Sequence, residues 1–247
     1  MRAFVKHWLH RLGLVVQRWP PTRFNATDAA LTLLRRNGFQ PDVVIDVGAN
    51  RGQWTSMARE TFPDAIYHLV EPQDGCLPAL KRLAADYPHI HVHATAVTRP
   101  GVRTVVMIGG GDDHTGTGNF IPTRAIATAA HNPTPYPSTT LDALFADLPS
   151  SRLLLKIDVE GHELAVLEGA HALLRRVEVI VSEFWMFRSD EQEMATLPEL
   201  QTLLQQAGFV LYDFGALHGR RSDNRLRSGD AIFVRRNSPL LANSSWK

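Results

Sequence analysis

Val44-Ile45-Asp46-Val47-Gly48-Ala49-Asn50-Arg51-Gly52 decides how this chain is read. A short apolar run beginning at Val43 meets a turn with two glycines four positions apart, and Gln53 to Thr61 continues as a helix. Strand, glycine turn and helix in that order open a βαβ unit. The glycines let the backbone approach a ligand closely, and the helix N-terminus behind them offers unpaired N–H groups to an anion. The Gly-x-Gly-x-x-Gly spacing that a dinucleotide pyrophosphate needs is absent. A smaller anion, such as the carboxylate of a methionine moiety, suits this turn.

Working outward, the same alternation of short apolar runs and helical stretches continues. Thr27 to Asn37 reads as a helix before the turn. After it come a strand over Ile66–Val70, a helix over Leu77–Asp86, a third strand over Ile90–Val97 and an extra strand over Val102–Ile108. Gly109 to Pro137 is rich in Gly, Thr and Pro and reads as a long loop over the active face, with Asn132-Pro133-Thr134-Pro135-Tyr136 as a Pro-rich turn. Thr140-Leu141-Asp142 opens a short helix, Leu153–Ile157 is the fourth strand and Glu163–Leu174 a helix. Val177–Val181 is the fifth strand, Leu197–Ala207 a helix, and Phe209–Asp213 and Ala231–Arg235 the last two strands. The pattern predicts an α/β fold with a Rossmann-like, doubly wound, mostly parallel seven-stranded sheet. A helical extension over residues 1–37 precedes a single domain over residues 38–247.

The 247 residues suffice for one sizeable core, and 44% apolar with 21% charged residues is an ordinary globular composition. A formal net charge of +1 gives no global field for nucleic acid. The single cysteine, Cys76, excludes an internal disulfide and a Cys-rich metal site, and fits a reducing, cytoplasmic setting. No apolar run reaches the roughly 20 residues a membrane span needs. His7, His10 and Arg11 interrupt what would be a leader's apolar stretch, so no signal peptide is expected. Up to Thr27 the chain carries Arg2, Lys6, Arg11, Arg18 and Arg23 and no acid, with Phe4, Trp8, Leu12, Val15 and Trp19 at helical spacing. Such a basic amphipathic helix commonly caps a core. Its alternative is a peripheral membrane contact through residues 1–19, with aromatic residues in the interface and cations toward anionic lipid.

Chemistry concentrates where strands end. Glu71 closes the second strand, 23 residues after Gly48, a spacing at which a carboxylate can accept hydrogen bonds from ribose hydroxyls. Together the turn and Glu71 indicate an adenosine-containing ligand. Leu155-Lys156-Ile157-Asp158-Val159-Glu160-Gly161-His162-Glu163 ends the fourth strand in a burst of titratable groups. Asp158 is the functional candidate there. Glu160 and Glu163 are ambiguous, because acids near a helix N-terminus are favourable in themselves. His162 is either a general base or a first-turn residue. Glu183, in Ile180-Val181-Ser182-Glu183-Phe184-Trp185, sets another carboxylate on the same face, with Trp185 and Phe187 able to wall off an acceptor or simply to pack. Arg220, Arg221, Arg225 and Arg227 form a basic loop before the last strand, suited to a phosphate or, more commonly, to solvent.

The quartet VIDVGANRG, LVEP, LLKIDVEGHELAVLEGA and VIVSEF resembles the FkbM family of S-adenosylmethionine-dependent methyltransferases, over roughly residues 40 to 235. His93-Ala94-Thr95-Ala96-Val97 and Thr140-Leu141-Asp142 also look similar. The resemblance implies S-adenosyl-L-methionine as cofactor and O-methylation of a small-molecule or glycolipid acceptor, typically a sugar hydroxyl in glycolipids, polysaccharides or secondary metabolites. It implies that Asp46, Gly48, Asn50 and Glu71 contact the cofactor, with Gly52 of the same turn and Ala96 of the third strand beside them. Asp158, His162 and Glu183 are then the catalytic candidates, and His162→Ala should lower turnover while sparing cofactor affinity. No metal is assigned. Mg2+ on Asp158, Glu160 and Glu183 is the lesser reading, because three acids on one face are common without a metal. The alternatives are a methyltransferase acting on a protein or another small molecule, and a non-catalytic adenosine-ligand binder. Nucleic acid is excluded as a partner by the near-neutral charge and the lack of aromatic–basic interleaving.

Overall fold

The computed structural model describes residues 27–109, 118–121, 134–149, 152–188 and 194–242. In chain order they form α1 (Thr27–Arg36), β1 (Val43–Val47), α2 (Gln53–Thr61), β2 (Ile66–Val70), α3 (Leu77–Asp86), β3 (Ile90–His93), β4 (Ala96–Val97), β5 (Thr104–Gly109), β6 (Gly118–Ile121), β7 (Thr134–Thr139), α4 (Leu141–Leu144), β8 (Leu153–Ile157), α5 (Glu163–Glu168), α6 (His171–Leu174), β9 (Val177–Trp185), α7 (Leu197–Gln206), β10 (Phe209–Gly219), β11 (Leu226–Arg235) and a 3-10 turn at Pro239–Leu241. The amphipathic helix expected at the N-terminus, and its membrane contact, lie outside the described residues.

β1 and β8 are buried at every position, which is why they read as unbroken apolar runs rather than alternating ones. Seven strands form the main sheet in the order β10-β11-β9-β8-β1-β2-β3. The pairs from β9 to β3 are parallel, and β11 runs antiparallel to both of its neighbours. Val43 stands level with Ile66 on one side and Leu153 on the other, so β1, β2 and β8 end together. From β1 the chain steps outward to β2 and β3, then returns beside β1 as β8 and proceeds the other way. The strand order therefore reverses between β1 and β8, the place where open α/β sheets bind ligands.

Alternate side chains of the central strands supply two cores. Ile45, Leu155, Ile180 and Phe233 face α4 to α7, while Val44, Leu154, Val179 and Ile232 face α1 to α3. Ala30, Leu31 and Leu34 of α1 are buried in this second core. Among the described residues no helix is long and apolar enough to cross a membrane.

Four parts of the chain depart from the sequence reading. The third strand stops at His93, where Thr95 N–H turns back onto the His93 carbonyl at 3.0 Å, and Ala96–Val97 restarts in a second sheet ordered β4-β7-β5-β6. The long loop between Gly109 and Pro137 contains β6, and its Pro-rich turn is partly strand β7. Ser138 N–H donates to the carbonyl of Arg103, just ahead of β5, so the even-numbered residues donate on that side and Pro135 and Pro137 turn their N–H-less nitrogens the other way. On that other side β4 pairs only with Ser138 and Thr139, so proline costs no ladder bond. The helix expected over Glu163–Leu174 breaks at Gly169, which lies so close to the Thr98 carbonyl that a Cβ would come within 2.1 Å of it. The Asp142 carboxylate then accepts from Ala172 and Leu173 N–H and starts α6 afresh. Finally, β9, β10 and β11 are longer than expected, which places Glu183 inside β9 and Arg227 inside β11.

Candidate active site

A cavity of about 290 Å3 opens at the strand reversal, lined among others by Gly48, Asn50, Glu71, Ala96, Asp158 and Glu160. This is the lower end of the range for small-molecule sites. The glycine turn forms one wall. Gly48 and Ala49 N–H donate to the Val70 carbonyl at 3.0 and 3.2 Å, which ties the turn to the end of β2. Gly48 has φ +77, and a Cβ there would stand 1.8 Å from the Asp158 carbonyl oxygen. No side chain can be added without separating the ends of β1 and β8. Asn50 is also left-handed, with φ 48.

Glu71 is buried, with only 2% of its surface exposed. One carboxylate oxygen accepts Asn50 N–H at 2.8 Å and the other accepts Gln73 N–H at 2.9 Å. Burial pushes the carboxyl upward, and these N–H donors with the Lys156 charge pull it back. Both oxygens are thereby oriented on the cavity wall, as recognition of a diol requires.

Asp46 does not line the cavity. It is fully buried beneath the turn, accepting Thr55 Oγ1 at 2.6 Å and pairing with Lys156 Nζ at 3.0 Å. Lys156 also donates to the Gly48 carbonyl at 3.1 Å and approaches Asp158 at 3.5 Å. Burial lowers the Lys156 pKa, and the charges of Asp46 and Asp158 more than reverse this, so the ammonium stays charged. Asp46 thus acts on the site through Lys156, as a positioning residue. Gly52 is likewise off the wall: it caps α2 with φ +85 and leaves room for Leu83 of α3.

The end of β8 supplies the opposite wall. Asp158 N–H continues the ladder to the Val47 carbonyl at 3.1 Å, and the carboxylate remains 40% exposed. Glu160 and Gly161 then adopt φ 53 and φ 104. Two successive left-handed residues reverse the chain, leaving Glu160 on the cavity and sending His162 away from it. His162 Nε2 lies 2.9 Å from Thr98 Oγ1, and burial together with the Arg99 charge brings its pKa down to about 4. The ring lies outside the cavity wall, contrary to its expected place beside the acceptor. Glu163, fully buried, accepts Val159 and Gly161 N–H, both at 3.1 Å, and so holds the reversal in shape.

Glu183 approaches from β9, opposite Asp230 of β11. Carboxylate oxygens of Asp158, Glu160 and Glu183 all lie within 4.8 Å of one another, a set that can also hold a hard divalent cation. Burial and the crowding of like charges favour the protonated form of the two glutamates. Burial and the Asp158 charge raise Glu160 to about 7, and burial with the charges of Asp158, Glu160, Glu163 and Asp230 raises Glu183 to about 10.

Sequence reasoning thus found Gly48, Asn50, Glu71, Ala96 and Asp158 on one cavity. It gave Lys156 no role and left Glu160 undecided. A lysine within the otherwise apolar strand LLLKI was the signal for the first. Nothing in local sequence announces a left-handed glutamate.

The family model for the methyltransferase FkbM domain matches residues 46–211. Among solved structures, the methyltransferase FkbM from Methylobacillus flagellatus KT superposes with a TM-score of 0.50 at 16% identity, over 78% of this chain and 43% of that one. The chain therefore spans less than half the length of that protein. Burkholderia thailandensis 1,6-didemethyltoxoflavin-N1-methyltransferase, with bound 1,6-didemethyltoxoflavin and S-adenosylhomocysteine, matches at TM-score 0.46 and 15% identity, covering 95% of this chain and 86% of its own. Magnesium protoporphyrin IX methyltransferase from Synechocystis PCC 6803, with bound SAM, matches at 0.45 and 13%, covering 85% and 77%. No curated protein matches the chain. With the strand reversal, the glycine turn and the match across most of the sheet in place, the chain belongs to the FkbM family of methyltransferases.

Proposed function

We propose that the protein is an S-adenosylmethionine-dependent O-methyltransferase acting on a hydroxyl of a small-molecule or glycosidic acceptor, a sugar hydroxyl of a glycolipid, polysaccharide or secondary metabolite. One observation carries this reading: the Glu71 carboxylate and the Gly48 turn face Asp158 and Glu160 across a single cavity. Glu71 and the turn would hold the adenosyl and methionyl parts, and the cofactor supplies an electrophilic methyl group. Ala96, with Val97 and Met107, gives the same cavity an apolar side.

The remaining task is to orient an alcohol and take its proton. Orientation alone is worth about 7–11 kcal/mol in favourable cases. An alcohol becomes a competent nucleophile only as its proton leaves, and a base whose pKa lies near the working pH serves best. Glu160, at about 7 and on the cavity wall, meets both conditions, with Asp158 beside it on the same wall. Glu183, at about 10, stands behind them as a proton-bearing neighbour. His162, held on Thr98, takes no part in this scheme.

Calorimetry with S-adenosylhomocysteine tests the cofactor half of the reading. The wild-type protein should bind it and Glu71→Ala should lose at least about tenfold in affinity, the cost of one good charged hydrogen-bonding group. Absence of binding by the wild type would sink the proposal. With a glycolipid acceptor in hand, Glu160→Gln should retain cofactor affinity and lose about 10²–10⁴ in turnover. Wild-type turnover should rise through about pH 7, and the variant should lack that rise. Running the same assay in EDTA decides whether the three carboxylates work with protons alone or around a divalent cation.

A further inference from the structure

The hairpin between β10 and β11 carries four arginines, Arg220, Arg221, Arg225 and Arg227, against one carboxylate, Asp223. Asp223 is taken by Arg220, which pairs with it through Nε and Nη2. Asp223 also accepts the Arg225 backbone N–H at 3.0 Å, but among the described residues no carboxylate forms a salt bridge with the Arg225 or Arg227 guanidinium, and both are exposed. They are nevertheless held in place. The Arg225 guanidinium lies over the Phe187 ring at 4.8 Å, and the Arg227 guanidinium over the Trp185 ring at 5.2 Å. The rings come from the end of β9 and the segment just beyond it. Met186 N–H donates to the Arg227 carbonyl at 2.8 Å, which fixes the two chains side by side.

A guanidinium lying on a ring uses its face, and its N–H edges stay available for in-plane recognition of oxyanions. Two forks two residues apart suit a tetrahedral anion that can offer oxygens to both, whereas a lone carboxylate satisfies only one. The patch adjoins the chemistry, because Trp185 stands two positions beyond Glu183 on the same strand, and carboxylate oxygens of Glu183 and Glu160 lie within 4.8 Å of one another.

We propose that Arg225 and Arg227, seated on Phe187 and Trp185, form the subsite for a phosphate group of the acceptor, so that the methylated hydroxyl belongs to a glycosyl unit carried on a phosphate or diphosphate. This rests on the methyltransferase reading and narrows its acceptor class. A phosphate held at this patch anchors the acceptor at the mouth of the site while the hydroxyl to be methylated reaches Glu160.

Calorimetry in saturating S-adenosylhomocysteine, with inorganic pyrophosphate, uridine diphosphate glucose and farnesyl phosphate in neutral detergent micelles, tests the subsite. Pyrophosphate should bind, its affinity should fall with salt, and Arg225→Ala should weaken it about tenfold or more, as loss of one charge-assisted pair does. Arg225→Lys should weaken it less, since charge survives and the fork does not. Tighter binding of the uridine compound points to a nucleotide carrier, and tighter binding of the micelles to a lipid carrier. Unchanged S-adenosylhomocysteine affinity in both variants shows that they are folded. Pyrophosphate affinity equal in wild type and Arg225→Ala would overturn the subsite. Retained S-adenosylhomocysteine binding in that case leaves the methyltransferase reading standing, and its loss in the wild type would remove that reading instead.

Discussion

A methyl group on Gly48 would meet the Asp158 carbonyl at 1.8 Å, on a backbone with φ +77 that L-residues adopt only at a cost of about 1–2 kcal/mol. The steric term exceeds the conformational one, because the obstructing atom is backbone of the adjacent strand. Gly48→Ala should therefore part the ends of β1 and β8, lower the melting temperature and abolish S-adenosylhomocysteine binding in calorimetry. A folded variant with native affinity would show that the turn is not the cofactor's cradle. Gly48 was readable from the sequence, because strand, glycine and helix make a local pattern. Glu160 was not. Its importance comes from φ 53 and from the neighbouring Asp158 and Glu183, two of which are decided by the fold rather than by adjacent residues.

The pair β1 and β8 is fastened by more than its ladder. Asp46 and Lys156 are register partners, both at most 4% exposed, and their ion pair spans the strand reversal directly below the cavity. Removing only one member leaves the other charged and buried, which costs about 3–5 kcal/mol. Lys156→Met should show that loss in urea denaturation, and Asp46→Asn combined with Lys156→Met should recover most of it. Additive losses in the double variant would contradict the coupling. At this level the sequence was legible wherever an apolar run ended in a turn signal: β1, β2, β8, α2 and α3 stand at their expected bounds. It misled where tertiary contact overrides the local pattern. Two prolines concealed β7, because only the hydrogen-bonded side of a strand needs N–H groups, and Asp142 from another element restarts a helix that Gly169 had ended. Gly215, His218 and Gly219 likewise hid the outer half of β10.

Acids accumulate at one end of the protein. Asp46, Asp158 and Asp230 act on Lys156, Glu160 and Glu183 crowd against Asp158, and the protons of these two glutamates absorb surplus charge. Glu183 titrates near 4.5 when unfolded and at about 10 in the fold. Because the folded protein keeps this proton longer, the stability contributed by Glu183 is complete below about pH 4.5 and falls as pH rises toward about 10. Glu160 adds the same trend between about 4.5 and about 7. Stability should then decline between about pH 6 and about pH 9, each group contributing at most about 1.4 kcal/mol per pH unit. Glu183→Gln should flatten that decline in denaturation curves taken across this range. An unaltered slope would mean that Glu183 is ionised in the fold.

β4 is two residues long, yet its pairing with Ser138 and Thr139 has a consequence for how this protein can change. It brings the departure and return of residues 98–137 together, so that the chain leaving Val97 and the chain arriving at Ser138 are fastened side by side. Lengthening a loop whose ends are already fastened costs only about 0.6 kcal/mol per doubling. Residues can thus be gained or lost between these fastened ends with Glu71, Asp158 and the seven-stranded register undisturbed. Met107 of β5 lies within this stretch and on the cavity wall. One face of the cavity is free to be remodelled, and the face that carries Glu71 and the Gly48 turn stays as it is.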